Sequence, residues 1–220
     1  MNNLINFLIE AEKVGINLEN VFDIGACQGQ WSFTIKKNAL PKSKFFLFEA
    51  NPAYADALIK TGFPHSCGVA LSNSGRATVE FFNGTNTGDS YYKETTKYYD
   101  NQSTIELPCT TLDQIVAAGV PIPNFIKIDT QGSELDILSG ASFLDRVDMI
   151  YTECPIICYN KGAPNIQDYI DFFKNRNFVP VDILEIHRSE GILIQIDIMF
   201  VRHDIKEKFI GPTQFIRPFA

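Results

Sequence analysis

The stretch NVFDIGACQGQWSF, Asn20 to Phe33, decides how this chain is read. An apolar run leads into Asp23, and glycines follow at Gly25 and Gly29. Glycines four apart interrupt a strand or a helix, so bare backbone is needed there. Two needs fit: a tight turn, or a ligand pressed against the main chain. NVFDIG reads as a strand, and GQWSFTIKKN as a helix with apolar residues at three- and four-residue steps. A strand, a glycine turn and a helix make up the first unit of an α/β sheet.

The pattern continues outward. KFFLFEA is a short apolar run, as expected for a strand buried on both faces. NPAYADALIKTG is a helix closed by Gly62, and SCGVALS a third strand. TTLDQIVAAG is a helix capped by Thr111 or Asp113, followed by the strand NFIKIDTQG and the helix SELDILSGASFL. VDMIYTECP is a strand and IQDYIDFFKNRNF a helix. VPVDILEIH and ILIQIDIMFVRH then form a hairpin turning near Ser189 to Gly191. This alternation predicts a parallel sheet with helices on both faces. Residues 1–19 carry an amphipathic N-terminal helix. Residues 73–110 break the alternation: RATVEFF and TIELPCTTL alternate like half-exposed antiparallel strands. The Tyr-rich stretch Gly84–Gln102 between them is expected to be a mobile lid. The whole, 1–220, is read as one domain.

Composition narrows the function. A formal net charge of −7 and a pI near 5.0 speak against nucleic acid as partner and for a small-molecule acceptor. No apolar run approaches the roughly 20 residues of a membrane span, and the N-terminus lacks a signal peptide's basic start. A cytoplasmic protein is expected. Five scattered cysteines make no disulfide framework. Cys154 and Cys158 lack the partners of a zinc site, so no metal is expected.

The turn has the spacing D-x-G-x-x-x-G, without the G-x-G-x-x-G fingerprint of dinucleotide enzymes or a phosphate-loop G-K-[ST]. Gly29 would let the helix pack closely and Gly25 would let backbone approach a ligand. Glu49, ending the second strand, can accept hydrogen bonds from both ribose hydroxyls. An adenosine ligand without pyrophosphate fits both features, and S-adenosylmethionine is such a ligand.

FIKIDTQGSELDILSGA, with TTLDQI upstream and YTECP downstream, resembles the FkbM family of S-adenosylmethionine-dependent methyltransferases. FDIGACQGQWS, FLFEANP and VALSNSGRATVEFF occur in matching order, so the resemblance runs from about Gly15 to His203. The family pattern carries Asn where this chain has Cys27; contacts made through the backbone survive that change. The resemblance implies a Rossmann-like class I methyltransferase sheet of seven strands, the last antiparallel. It also implies S-adenosylmethionine contacts from Asp23, Gly25, Ala26, Gly29 and Glu49, with Ala70, Leu71 and Ser72 near the adenine.

Asp89 and Ser90 in the Tyr-rich stretch are placed near the cofactor, while Tyr91, Tyr92, Tyr98 and Tyr99 are suited to stacking on a sugar or flat acceptor. Asp129 and Glu153, ending the central strands, are the catalytic candidates, and His187 is next. Glu134 is read as a helix-dipole residue, Lys127 as either paired with a carboxylate or at an edge, and Trp31 as core. The expected activity is O-methylation of a sugar or other small hydroxylated metabolite. The alternative is a non-catalytic cofactor-binding scaffold in carbohydrate synthesis.

Overall fold

A computed structural model describes residues 1–73, 75–84, 88–97 and 103–210. Its main sheet has seven strands: β1 (Asn20–Ile24), β2 (Lys44–Glu49), β3 (His65–Cys67), β7 (Phe125–Ile128), β8 (Met149–Pro155), β9 (Phe178–Ser189) and β10 (Ile192–Arg202). Their spatial order is β3-β2-β1-β7-β8-β10-β9. The first five run parallel, and β10 lies antiparallel to both β8 and β9. The order reverses between β1 and β7, which opens a crevice at the carboxyl ends of those two strands.

β7 shows why its sequence is continuous rather than alternating: all four residues are buried. Helices α1 (Asn2–Lys13), α2 (Gln30–Asn38) and α3 (Ala55–Thr61) cover one face, with Leu4, Leu8, Ile35 and Leu58 packed in one apolar core. On the other face α4 (Leu112–Ala117), α5 (Glu134–Ser139) and α6 (Ile166–Asn175) bring Leu112, Leu138, Tyr169 and Phe173 to a second core. Thr111 is the cap of α4: its hydroxyl accepts from Gln114 N while the Gln114 side chain accepts from Thr111 N. A short helix, α7 (Glu207–Ile210), follows β10.

The expected third strand is two strands. Gly68, at φ +79°, breaks SCGVALS. β3 remains at the edge of the main sheet, whereas β4 (Ala70–Leu71) leaves it to pair in parallel with β6 (Ser103–Thr110). β6 also pairs antiparallel with β5 (Thr78–Asn83), giving a small second sheet in the order β4-β6-β5. Of the stretch read as a mobile lid, residues 88–97 are bonded on two sides. Ser90 and Phe82 exchange backbone hydrogen bonds, and Thr95 N and Lys161 N bond Tyr159 O and Lys93 O at 2.8 Å. Tyr98 and Tyr99 lie outside the described residues. No helix among the described residues is long and apolar enough to cross a membrane.

Gly29 has φ +76°, and a Cβ there would stand 2.8 Å from Thr61 Cγ2 and 3.1 Å from Leu47 Cδ2. The bare backbone lets the start of α2 close on α3 and β2. Gly15, at φ +80°, has open space around it. Both Gly→Ala changes incur the cost of a left-handed backbone, about 1–2 kcal/mol, but only Gly29→Ala adds a clash. Chemical denaturation should therefore show Gly29→Ala to be the less stable variant.

Candidate active site

The crevice between β1 and β7 holds a cavity of about 370 Å³, within the roughly 300–1,000 Å³ of small-molecule sites. Gly25, Ala26, Glu49, Ala70, Leu71, Asp89 and Asp129 all border it. The sequence thus brings together, from five separate segments, most of the residues expected to act.

Glu49 is almost fully buried, and both its oxygens are engaged. Oε2 accepts from Cys27 N and Oε1 from Asn51 N, each at 2.7 Å. A carboxylate oxygen has two lone-pair sites, so one remains on each oxygen. Two adjacent hydroxyls on one ligand match that arrangement. Burial raises the Glu49 pKa, against the hydrogen bonds from Asn51 and Cys27 that lower it. Asn51 extends the rim: its amide nitrogen donates to Asp89 Oδ2 at 2.7 Å, and Asp89 Oδ1 accepts from Gly84 N. Asp89 is thereby held by the main chain just past β5.

Gly25 is required for a reason the sequence did not reveal. A Cβ on it would stand 1.8 Å from the carbonyl oxygen of Asp129, so the bare backbone serves the close approach of the two chains just past β1 and β7. Asp23 does not border the cavity. It is fully buried, with Oδ2 accepting from Ser32 Oγ at 2.6 Å and Oδ1 3.1 Å from Lys127 Nζ, an ion-pair contact rather than an aligned hydrogen bond. Gly29, one turn deeper, also lies outside the lining, as do Ser72 and Ser90. Ser72 N donates to Thr110 O, and Ser90 Oγ accepts from Tyr92 N, so both are fastened into the small sheet's surroundings.

Lys127 resolves the choice left open in the sequence. It pairs with Asp23, lies 3.7 Å from Asp129 Oδ2, and donates to Gly25 O at 2.9 Å. Burial alone would depress its pKa; Asp23 and Asp129 outweigh that and hold the ammonium above the usual lysine range. Asp129 accepts from Gln131 Nε2 at 2.8 Å, and the same nitrogen donates to Glu153 Oε2 at 3.0 Å. Gln131 sits at φ +55°, a backbone state that the loop around it must impose.

Glu134 does more than face a helix dipole. Its buried carboxylate accepts from Thr130 N at 2.7 Å, Gly132 N at 2.9 Å and the Tyr169 hydroxyl, and so fastens the whole Asp129–Ser133 loop to α6. Burial raises its pKa as well.

Trp31 is shared between core and cavity. It packs against Phe45 and Phe125 while bordering the cavity, where Lys127 Nζ lies 5.9 Å from its ring. Tyr54, Phe81 and Tyr91 complete an aromatic lining; Tyr91 is held by its hydroxyl on Asp136 Oδ2 and by Arg76 over its ring. Only Tyr91 among these was singled out by sequence, because Tyr54 and Phe81 sit in runs whose apolar pattern is explained by packing alone.

Glu153 lies away from this cavity, beside a small cleft with Gln131, Tyr159 and Gln195. Burial raises its pKa well above normal, and Asp129, Asp197 and Glu134 raise it further.

Residues 23–180 match the methyltransferase FkbM domain. That match covers most of the chain. The protein belongs to the FkbM methyltransferase family. Its class of chemistry is methyl transfer from S-adenosylmethionine. No curated protein matches the chain. Among solved structures, the Methanococcus jannaschii fibrillarin pre-rRNA processing protein superposes with a TM-score of 0.51 at 11% identity, covering 86% of this chain and 68% of that one. The O-methyltransferase TomG of Streptomyces achromogenes, involved in tomaymycin synthesis and solved with SAM, gives 0.50 at 11% identity over 91% and 79%. An FkbM methyltransferase from Methylobacillus flagellatus gives 0.48 at 14% identity over 82% of this chain, which spans 43% of that one. At these identities the likeness is one of fold.

Receiving two ligand hydroxyls on top of its two backbone N–H groups would require the carboxylate of Glu49 to be ionised. Its raised pKa places the loss of that form at a higher pH than for an ordinary glutamate. Affinity for S-adenosylhomocysteine should be level at alkaline pH and weaken, up to tenfold per unit, as pH falls through the raised value; calorimetry from about pH 8 to about pH 5 reads this. Glu49→Ala should weaken binding at least roughly tenfold and flatten the profile. Gly25→Ala, by contrast, should lose binding and thermal stability together, since it displaces Asp129.

Proposed function

We propose that the protein methylates a hydroxyl oxygen of a small hydroxylated metabolite, with a sugar as the best-fitting class. The observation that carries this reading is that Asp129, a carboxylate fixed by Lys127 and Gln131, borders the same cavity as Glu49 and Gly25. Glu49, at the end of β2, is matched to a ribose diol. The apolar Ala70, Leu71, Phe81 and Ile137 suit the faces of an adenine ring, with Asp89 at the rim. Three carboxylates, Glu49, Asp89 and Asp129, border this space with the single ammonium of Lys127. That balance favours a positively charged ligand such as a sulfonium.

S-adenosylmethionine supplies an activated methyl group bonded to a sulfonium sulfur. Transfer of that methyl to an acceptor hydroxyl oxygen, with the carbon–sulfur pair left on sulfur, would require the hydroxyl proton to be taken up. Asp129 is the group assigned to take that proton, a role typically worth about 10²–10⁴-fold. Lys127, 3.7 Å from its Oδ2, helps hold the aspartate in place, and Gln131 limits its rotation. Most of the remaining acceleration rests on alignment of the two reactants, for which well-oriented systems supply about 7–11 kcal/mol. Gln131, Tyr159 and Gln195, beside the cleft at Glu153, offer the dense donors and acceptors that several hydroxyls would require.

Turnover on a panel of sugars and other hydroxylated acceptors is the direct test. With a working acceptor, Asp129→Asn should lower kcat at least roughly tenfold while affinity for S-adenosylhomocysteine changes little. Glu153→Gln should act mainly on KM for the acceptor. Full turnover by Asp129→Asn would move the base elsewhere, and transfer to an amine alone would replace the hydroxyl reading.

A further inference from the structure

Beyond the small cleft, β8, β9 and β10 carry three side chains to one point on the same face of the sheet. Asp197 and Glu153 are direct cross-strand partners, and His187 stands diagonally from Asp197 beside the register shift between Leu193 and Gln195. One ligand-type atom from each, the imidazole nitrogen of His187 and a carboxylate oxygen of Glu153 and of Asp197, all lie within 4.8 Å of one another. We propose that Glu153, His187 and Asp197 form a binding site for a divalent transition-metal ion, of the manganese or zinc type, at the acceptor end of the active site.

Four features support this. The donor set, one imidazole and two carboxylates, suits borderline divalent cations better than calcium or magnesium, which favour all-oxygen shells. The spacing of the His187–Asp197 pair fits: with metal–ligand bonds of roughly 2.0–2.2 Å, neighbouring ligands at right angles stand roughly 3 Å apart. His187 Nε2 and Asp197 Oδ1 are 3.0 Å apart. The remaining carboxylate oxygens are held from outside the triad by neutral donors, Asp197 Oδ2 by the Tyr151 hydroxyl at 2.8 Å and Glu153 Oε2 by Gln131 Nε2 at 3.0 Å. Such outer partners orient the ligands of metal sites.

The fourth feature is charge. Glu153 feels Asp129, Asp197 and Glu134 as neighbouring anions, opposed by Lys127, which is already committed to Asp23. A divalent cation would neutralise that crowd. His187 is partly exposed while Asp197 is buried, so the site has an entrance and a floor. Three protein ligands leave positions for water or an acceptor hydroxyl.

The test uses the full chain, freed of metal by chelation and titrated with Mn²⁺ and, separately, Zn²⁺, with no methyl donor or acceptor present. We expect saturable binding of one ion per chain, with Mn²⁺ broadening the NMR signals of His187 and leaving those of His65 and His203 sharp. His187→Ala should weaken binding at least roughly tenfold, and Tyr151→Phe by a smaller factor. Asp197→Asn should abolish it; should that variant fail to fold, the partly exposed His187 still decides the matter. Absence of saturable binding, or equal binding by His187→Ala, would overturn the site. Neither result depends on which acceptor is methylated.

Discussion

Lys127 is the charge about which this molecule is arranged. Its partner Asp23 stands directly across from it in the parallel register of β1 and β7, both are buried, and neither is tolerable there alone. Removing one member of such a pair typically costs about 3–5 kcal/mol, because the other is left as an uncompensated buried charge. The ammonium also holds Gly25 O and faces Asp129. One side chain therefore couples the central strand pair, the glycine turn and the carboxylate assigned as base. Stability and chemistry share a foundation.

A second constraint works on the other side of Asp129. Glu134 gathers two backbone N–H groups and the Tyr169 hydroxyl, so the loop that carries Asp129 is tied to α6 rather than left to its own turn preferences. Between Lys127 and Glu134, the aspartate has little freedom. This is the preorganisation that alignment-based catalysis needs.

The sheet was readable because its signals are local. Strand runs without alternation, helices with helical spacing and a hairpin with a short polar turn each announce themselves within about ten residues. The place of Glu49 in the cavity was readable for the same reason, as a carboxylate ending an apolar run. What escaped the sequence depends on contacts between distant segments. Gly25 was read as bare backbone for a ligand and does border the cavity, but nothing local reveals that the Asp129 carbonyl oxygen also lies against it. Asn51 looked like the start of a helix, and its bond to Asp89 joins segments that no periodicity relates. SCGVALS read as one strand since a glycine within an apolar run gives no hint that its two halves join different sheets. Glu153 stood out within YTECP, but no motif relates it to His187 and Asp197; only the cross-strand register makes the three neighbours.

The pairing of β1 with β7 has a consequence for how the chain reaches this state. Val21 lies against Phe125, so the central contact closes a loop of about a hundred residues, an entropic cost met before that pairing returns any gain. A nascent chain that has emerged only as far as β6 holds Asp23 without its counter-charge and Gly25 without the segment that lies against it. Such a chain has the glycine turn and the carboxylate of Glu49, yet no electrostatic reason to bury either. The first βαβ unit is thus kept from settling early, and the binding crevice comes into being only once the second half of the sheet has been made.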